Sequence, residues 1–366
     1  MPLNMTQLFE KMAELDASDL HLKAGTVPIF RVRGELVLLD FPIVSKEEIK
    51  GLTDKIIPEK LKENFKNDGA VDFAFSTDKD TRFRTNAFLQ KGNISISLRR
   101  LVSKNLNFDE LNLPKVFYDL CKLKRGLILI TGPTGTGKST TMAALVDYIN
   151  ETRKEHIVTI EDPIEFLFKD RQSIIEQREL GLDAFSFEVA LKHALRQDPD
   201  VIVLGEMRDR DTINMAIRAA QTGHLVVSTL HTVNAVQTVA RILKYFSVEE
   251  AEGIREDLAG SLAAVISQRL LPSADGKSRV PAVEVMVVDM IIKKLIRENR
   301  IEDMQQIIRN GELGMQTFDM SLAALVNSKL ITFDAGKEYA DDYPTYKRYC
   351  DGVEVGSDRK GLIGNY

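Results

Sequence analysis

Residues 132–140 form a glycine-rich loop, GPTGTGKST, in which Gly132, Gly137, Lys138 and Ser139 fit the pattern G-x-x-x-x-G-K-[ST]. Glycines let such a loop curl so that its backbone N–H groups point at phosphate oxygens, and its lysine reaches the β- and γ-phosphates. The pattern predicts a nucleoside triphosphate site, in which the Ser139 hydroxyl also ligates Mg²⁺. The residues predicted to bind the nucleotide are Gly132, Pro133, Thr134, Gly135, Thr136, Gly137, Lys138, Ser139 and Thr140.

The segments on either side of the loop decide whether the pattern is more than a chance glycine turn. GLILIT precedes the loop and is typical of a buried strand, while TTMAALVDYIN follows it and is typical of an amphipathic helix. A helix that begins near Ser139 presents its positive N-terminal end to the phosphates. The context therefore favours a phosphate-binding loop.

Three further apolar runs end in residues that could take part in nucleotide chemistry. HIVTI is followed by Glu161 and Asp162, VIVLG by Glu206, and LVVSTL by His231, with His224 just before that last run. Ligand sites in parallel sheets lie at the carboxyl ends of the strands, so we expect these side chains to converge on the loop. Asp162 is equally consistent with capping the turn before Pro163, and both histidines could be structural.

Glu206 is the predicted catalytic base, because a carboxylate beside a phosphate loop can orient a water molecule or accept its proton. Many nucleotide-hydrolysing proteins carry an aspartate at the end of this strand, where the chain has Gly205. We therefore expect Mg²⁺ to depend on Ser139, phosphate oxygens and water, with Glu161 at one remove. His231 is predicted to sense the γ-phosphate through a hydrogen bond.

Residues 82–101 read as a basic hairpin, RFRTNAFLQKGNISISLRRL. Its alternation places Arg84 and Arg99 on the face opposite the apolar residues. A turn centred on Lys91–Gly92 pairs the two arginines directly, whereas one centred on Gly92–Asn93 makes them diagonal neighbours. Adjacent like charges destabilise a sheet unless an anion lies between them. We expect Arg84 and Arg99 to contact a nucleotide bound elsewhere, for example on a neighbouring subunit; the alternative is a solvated basic face.

The chain of 366 residues is long enough for two domains. Residues 1–100 mix helices with short alternating strands, which predicts an α+β domain with a mainly antiparallel sheet. Residues 101–114 are polar and form the predicted linker. Residues 115–366 are the predicted second domain, an α/β fold with a parallel sheet up to about 275 and then helices at 289–298, 301–310 and 317–328. The final polar stretch, from about residue 341, is expected to be poorly ordered.

Composition excludes several classes of protein. A net charge of −5 argues against a surface devoted to nucleic acid, and two cysteines are too few for a disulfide framework or a four-cysteine zinc site. The sequence contains no apolar run long enough to cross a bilayer and no pattern typical of a secretory signal. We expect a cytoplasmic protein that reaches any membrane through a partner.

Taken together, GPTGTGKSTT, TIEDPIEF, RQDPDVIVLGEMRD and TGHLVVSTLHT resemble the Walker A, aspartate-box, Walker B and histidine-box segments of secretion-superfamily ATPases. With ASDLHLKAG near the start and GMQTFD at 314–319, the chain is similar to the PilT family, the motors that retract type IV pili. The resemblance implies a PAS-like α+β domain, a RecA-like P-loop ATPase domain and a ring-shaped homohexamer.

The resemblance also implies roles for particular residues. Lys138 and Ser139 would bind the phosphates and magnesium, and Glu206 would be the catalytic glutamate. Glu161 would belong to the aspartate box and His231 to the histidine box. Arg84 and Arg99 match the arginines that the N-terminal domain sends to ATP. The implied partner is a platform protein of the inner membrane, at the base of the pilus machine, through which the motor would act indirectly on pilin.

Two departures and several alternatives accompany this resemblance. Retraction motors often carry a helix of the AIRNLIRE type, which reads IIKKLIRE at 291–298, and the tail beyond about 340 has no counterpart in the family. The alternatives are an accessory retraction paralogue, an assembly or secretion ATPase, and a nucleic-acid translocase. Assembly ATPases usually have longer N-terminal regions and a four-cysteine zinc module. A scaffold that binds nucleotide without hydrolysis is disfavoured by the presence of both Lys138 and Glu206.

Overall fold

The computed structural model describes residues 4–77, 81–101 and 106–353, and the chain divides into two compact units. The first unit comprises the described residues of Met1–Lys104 together with Asp162–Leu167 and Glu179–Asp183. The second comprises the described residues of Asn105–Glu161, Phe168–Arg178 and Ala184–Tyr366. Residues 102–105 of the predicted linker and 354–366 of the predicted tail lie outside the described residues.

The first unit contains an antiparallel sheet of six strands in the order β3-β2-β1-β6-β5-β4. Its strands are β1 Asp19–Lys23, β2 Ile29–Val32, β3 Glu35–Leu38, β4 Ala70–Ser76, β5 Arg82–Gln90 and β6 Asn93–Leu101. Its helices are α1 Met5–Glu14, α2 Lys46–Ile56 and α3 Lys62–Asp68, with a 3₁₀ turn at Glu59–Leu61. The alternation read from the sequence is confirmed at alternate positions of three strands, which share one apolar core: Leu20 and Leu22 of β1, Phe83 and Ala87 of β5, and Ile96 and Leu98 of β6.

The second unit is built on a seven-stranded sheet in the order β13-β12-β7-β11-β10-β8-β9. Its strands are β7 Gly126–Thr131, β8 His156–Glu161, β9 Ile174–Glu179, β10 Val201–Leu204, β11 Leu225–Leu230, β12 Leu262–Pro272 and β13 Arg279–Val287. The four predicted strands β7, β8, β10 and β11 run parallel, and β7, β10 and β11 are buried along their whole length. The α/β fold class is therefore confirmed.

Helices accompany this sheet and continue beyond it. They are α4 Val116–Leu120, α5 Lys138–Thr152, α6 Phe187–Ala194, α7 Arg210–Gln221, α8 Ala235–Leu243, α9 Ala251–Ser261, α10 Met290–Arg297, α11 Met304–Arg309, α12 Phe318–Asn327, α13 Phe333–Tyr339 and α14 Tyr343–Cys350, with 3₁₀ turns at Ile301–Asp303 and Glu312–Gly314. Within the described residues, no helix is long and apolar enough to span a membrane.

Two regions differ from the sequence-based predictions. Phe108 and Leu113, in the predicted linker, are only 2% and 6% exposed in the core of the second unit, so this stretch packs as part of that unit. The prediction of a poorly ordered stretch from residue 341 is wrong for its described part, which forms α14. Tyr346 in this helix is fully buried and donates a hydrogen bond to the carbonyl oxygen of Phe333 at 2.8 Å, which fixes the helix to its neighbours.

Candidate active site

The loop between β7 and α5 has a backbone that only glycine can adopt at its first position. Gly132 has a φ of +144°, and a Cβ there would lie 2.6 Å from both the Gln268 carbonyl oxygen and the Thr136 Oγ1. Gly135 and Gly137 also have positive φ, at +83° and +89°. The loop therefore curls tightly between strand and helix, as the pattern predicts for a phosphate cradle.

Lys138 begins α5 and is only 9% exposed. Its Nζ donates hydrogen bonds to the carbonyl oxygens of Gly132 and Pro133, at 2.8 and 2.9 Å, so the ammonium group is held over the loop. Ser139 and Thr140 follow in the first turn of α5. Pro133 is further fixed because its carbonyl oxygen accepts a hydrogen bond from Thr136 Oγ1 at 2.9 Å.

The parallel register places three predicted site residues at or just after the carboxyl ends of neighbouring strands. Leu204, the last residue of β10, pairs with Ile160 of β8 and Ser228 of β11. The Gly205 N–H donates to the Ile160 carbonyl at 2.8 Å, and the Gly205 carbonyl accepts from Thr229 Oγ1 at 2.6 Å. β7 pairs in parallel with β11, so the loop that follows β7 lies at the carboxyl ends of the same set of strands. Glu161, Glu206 and His231 therefore lie on the same side of the sheet as the loop, at the carboxyl ends of its strands.

Glu206 and His231 are in direct contact. The Glu206 Oε2 lies 3.0 Å from the His231 Nε2, and the other carboxylate oxygen forms an ion pair with Arg208. Burial lowers the pKa of His231, and the charges of Lys138 and Arg208 lower it further. A neutral imidazole at pH 7 then donates its Nε2–H to the carboxylate.

Arg208 was not among the predicted site residues. It follows Glu206 by two positions in GEMRD, which is the one signal in the sequence that could have identified it. Its guanidinium compensates the charge of Glu206, whose side chain is only 15% exposed. The Glu206 carboxylate is therefore oriented by two neighbours, Arg208 and His231.

Glu161 is 7% exposed, and its Oε1 accepts hydrogen bonds from Thr159 Oγ1 at 2.7 Å and from Gln177 Nε2 at 3.3 Å. These contacts fix the carboxylate at the end of β8. His224 lies at the opposite, amino-terminal end of the strands, because it directly precedes β11. Its Nδ1 is 2.9 Å from the Ala219 carbonyl oxygen. That placement favours the structural interpretation of His224.

Arg84 and Arg99 belong to the first unit, whereas the loop, Glu161, Glu206 and His231 belong to the second. The two arginines are direct cross-strand partners, because the hairpin turns at Lys91–Gly92. Each faces a carboxylate of its own unit. Arg84 Nη1 lies 3.6 Å from Glu165 Oε1, and Arg99 Nε donates to Asp19 Oδ1 at 2.8 Å.

A cavity of about 320 Å³ opens beside the loop within the second unit. It is lined by Thr136, Gly137 and Thr140 of the loop and α5, and by Leu270 and Arg279 of β12 and β13. The part of the chain that the structure describes has no group of three or more histidine, cysteine or acidic residues arranged to hold a metal ion.

Comparisons with known proteins identify the family of the chain and a solved structure that it resembles. Residues 4–337 match the family described as type II/IV secretion system protein. The chain is 42% identical, over 92% of its length and 98% of the relative, to the Pseudomonas aeruginosa protein named type IV pilus retractation ATPase PilT. It is 37% identical, over 93% of its length and 89% of the relative, to the type IV pilus ATPase PilU of the same organism. The crystal structure of the pilus retraction motor PilT with bound ADP superimposes with a TM-score of 0.88, at 43% identity over 94% of this chain and 99% of that one.

Proposed function

The chain belongs to the type II/IV secretion system protein family, and on this premise we propose that it is an ATP-hydrolysing hexameric motor that powers type IV pilus retraction. One observation carries the proposal. The curled loop with Lys138 and the Glu206–His231 pair lie together at the carboxyl ends of the parallel strands. They do so in a chain that is similar over nearly its whole length to a retraction ATPase. The two units correspond, in this proposal, to a PAS-like and a RecA-like domain.

ATP binding uses the loop and its helix. The backbone N–H groups of residues 132–140 and the N-terminus of α5 receive the phosphates, and Lys138 exchanges its two carbonyl partners for the β- and γ-phosphate oxygens. The cavity beside Thr140 and Arg279 accommodates the nucleoside. Ser139 would hold Mg²⁺, which when bound would supply positive charge against the phosphates.

Hydrolysis is assigned to Glu206. A water molecule attacks the γ-phosphorus, the bond from that phosphorus to the bridging oxygen breaks, and the water proton passes to the Glu206 carboxylate. His231 orients the carboxylate through its 3.0 Å hydrogen bond, and Glu161 supports the same edge from the end of β8. Arg84 and Arg99 of a neighbouring subunit contact the phosphates and stabilise the charge that develops on them.

The motion driven by hydrolysis would act on an inner-membrane platform protein and through it on pilin, from the cytoplasmic side. Nucleic acid is not an expected substrate, in keeping with the net charge of −5.

Steady-state ATP turnover of the purified chain tests the catalytic assignment. Replacing Glu206 with glutamine keeps the size of the side chain and its contact with His231 but removes the base, so kcat should fall by about 10²- to 10⁴-fold while ATP still binds. The matched control is Glu312→Gln, since Glu312 is an exposed glutamate of the same unit. Turnover of Glu206→Gln at the parent rate would refute the assignment.

Deletion of the gene tests the direction of the motor. Cells that accumulate surface pili but do not twitch would support retraction, whereas cells without pili would indicate assembly and would contradict the proposal. Restoration of motility by the parent gene, and not by one carrying Glu206→Gln, would tie the phenotype to hydrolysis. ATP turnover that rises on addition of DNA would point instead to a translocase.

The similarity to PilU favours one second candidate, an accessory retraction ATPase. The two candidates differ in what deletion does when another retraction ATPase gene is present. A main motor is required for twitching in every such background, whereas an accessory ATPase changes retraction only when the main motor is also present.

A further inference from the structure

The segment ASDLHL at the start of β1 divides its residues between two faces of the first unit's sheet. Leu20 and Leu22 are 0% and 1% exposed and lie in the apolar core. Asp19 and His21 therefore lie on the opposite, polar face, where His21 Nδ1 is 3.0 Å from Ser97 Oγ. The apolar pair explains how the strand is anchored, but it does not explain the aspartate.

Asp19 is the centre of a charged row that crosses the sheet. It pairs directly with Arg31 on β2 and with Arg99 on β6, and Arg99 pairs in turn with Arg84 on β5. Residues directly opposite each other share a face of the sheet. The order across the sheet is therefore Arg31, Asp19, Arg99 and Arg84, and these four side chains carry an excess of positive charge.

Asp19 itself is buried, at 6% exposure, and both of its oxygens are occupied. Oδ1 accepts from Arg99 Nε at 2.8 Å, and Oδ2 accepts from Ser18 Oγ at 2.8 Å with Arg31 Nε 3.9 Å away. A buried carboxylate with charge-assisted hydrogen bonds is rigid and costly to disturb. It is a firm point of attachment for a flexible side chain.

Arg99 uses only one of its nitrogen atoms for this attachment. Its side chain remains 64% exposed, and the structure records no hydrogen bond from its two terminal amino groups to the described residues. Guanidinium has five N–H donors, so a bond through Nε leaves the four N–H donors of the terminal groups available. An arginine tethered in this way has lost much of its rotamer freedom before it meets an anion.

We propose that Asp19 is a positioning residue for ATP hydrolysis, which holds Arg99 by its Nε so that the terminal amino groups are presented to a phosphate of ATP on a neighbouring subunit. The inference rests on the proposed function, because it requires that Arg99 contacts nucleotide. It assigns the charged half of ASDLHL to the reaction and the apolar half to the fold. Among the described residues, the carboxylate oxygen recorded beside Arg84 belongs to Glu165 and is 3.6 Å from Nη1, which is longer than the 2.8 Å contact of Arg99 with Asp19.

A double-mutant cycle on the full-length chain tests the inference through kcat and KM for ATP. Asp19→Asn keeps the size of the side chain but removes its charge, and we expect kcat to fall roughly 10- to 100-fold through misplacement of Arg99. Arg99→Ala should lower kcat by at least as much. Combining the two should add nothing further, because Asp19 acts only through Arg99.

Asp16→Asn is the matched control. Asp16 pairs with Arg100, the next residue of β6, and is fully on the surface with its side chain 89% exposed. Its φ of +48° is one that asparagine adopts readily, so this variant should turn over ATP at the parent rate. Asp19→Ser, which is too short to reach Arg99, provides a second measurement in the same cycle, and thermal melts verify that each variant is folded.

The outcomes separate this inference from the function on which it rests. Two results would overturn the role of Asp19 and leave that of Arg99 intact. One is a loss of kcat in the double variant equal to the product of the two single losses. The other is an unchanged kcat in Asp19→Asn and Asp19→Ser when the kcat of Arg99→Ala is lowered. An unchanged kcat in Arg99→Ala would overturn both assignments. A loss in Glu206→Gln under the same conditions would still support ATP hydrolysis by this chain.

Discussion

Glu284 provides a test of the second unit that is independent of ATP. It lies in β13, is 1% exposed, and its Oε1 accepts the backbone N–H of Ala235 at 2.7 Å. Ala235 is the first residue of α8, which follows the turn that carries His231. Burial raises the pKa of Glu284 from 4.5 to about 7, although the hydrogen bond from Ala235 opposes the shift.

The raised pKa makes stability fall as pH rises. Below pH 4.5 the glutamate is protonated in the folded and the unfolded chain, and it contributes no pH dependence. Between 4.5 and about 7 the unfolded chain ionises while the folded chain keeps its proton, so unfolding becomes progressively more favourable. At about 1.4 kcal/mol per pH unit this amounts to about 3 kcal/mol, and above pH 7 the loss is complete.

Glu284→Gln removes the ionisable group while keeping an acceptor for the Ala235 N–H. We expect the free energy of unfolding of the parent to fall, relative to that of Glu284→Gln, by about 3 kcal/mol from pH 4.5 to pH 8. Denaturant unfolding at several pH values, at a fixed concentration of chain because assembly shifts stability, measures this difference. The exposed-site control, Glu312→Gln, should follow the parent. Parallel profiles for the parent and Glu284→Gln would refute the reasoning.

Three further expectations concern the loop, His231 and the C-terminal helix. Gly132→Ala should abolish ATP binding, since a Cβ at this position meets two atoms at 2.6 Å. Gly205→Ala is the control, because its Cβ would lie 3.4 Å or more from the nearest atoms around it. Equal ATP binding by both variants would contradict the assignment of the loop as the phosphate-binding site. His231→Ala should lower kcat about tenfold through loss of the bond that orients Glu206, while an unchanged kcat would make that bond incidental. Tyr346→Phe should lower the free energy of unfolding by about 1 kcal/mol and Tyr346→Ala by about 3 to 5 kcal/mol, as measured by denaturant unfolding. An alanine variant as stable as the parent would contradict the burial of Tyr346.

The site could be predicted as far as it depends on local pattern and strand order. Gly132 and Lys138 belong to one short motif. The placement of Glu206 near His231 follows because these residues come after the carboxyl ends of two buried parallel strands. The sequence signal for Arg208 is only its position two residues after Glu206, and whether the two side chains pair depends on how the chain turns after the strand. The attachment of Arg99 to Asp19 joins residues 80 positions apart and needed the register of β1 with β6.

The fold was harder to predict where burial hides periodicity. β13 is buried on both faces over much of its length, so the alternation typical of a half-buried strand is missing, and Pro281 further disguises it. The last helix was missed for the opposite reason, since its polar composition outweighs one buried tyrosine. Local signals were present there: Asp342 caps the helix by accepting from the Thr345 N–H, and Pro344 lies in its first turn.

The buried Tyr346 has a practical consequence for where this protein can be cut or joined to another. The match to the family ends at residue 337, yet the second unit continues through α14. Gly336 has no room for a side chain, because a Cβ there would collide with the Tyr346 hydroxyl. Trimming the chain at the family limit would expose the apolar surface that Tyr346 covers. Reporter fusions and affinity tags should therefore be attached after residue 353, so that the whole of α14 remains in place.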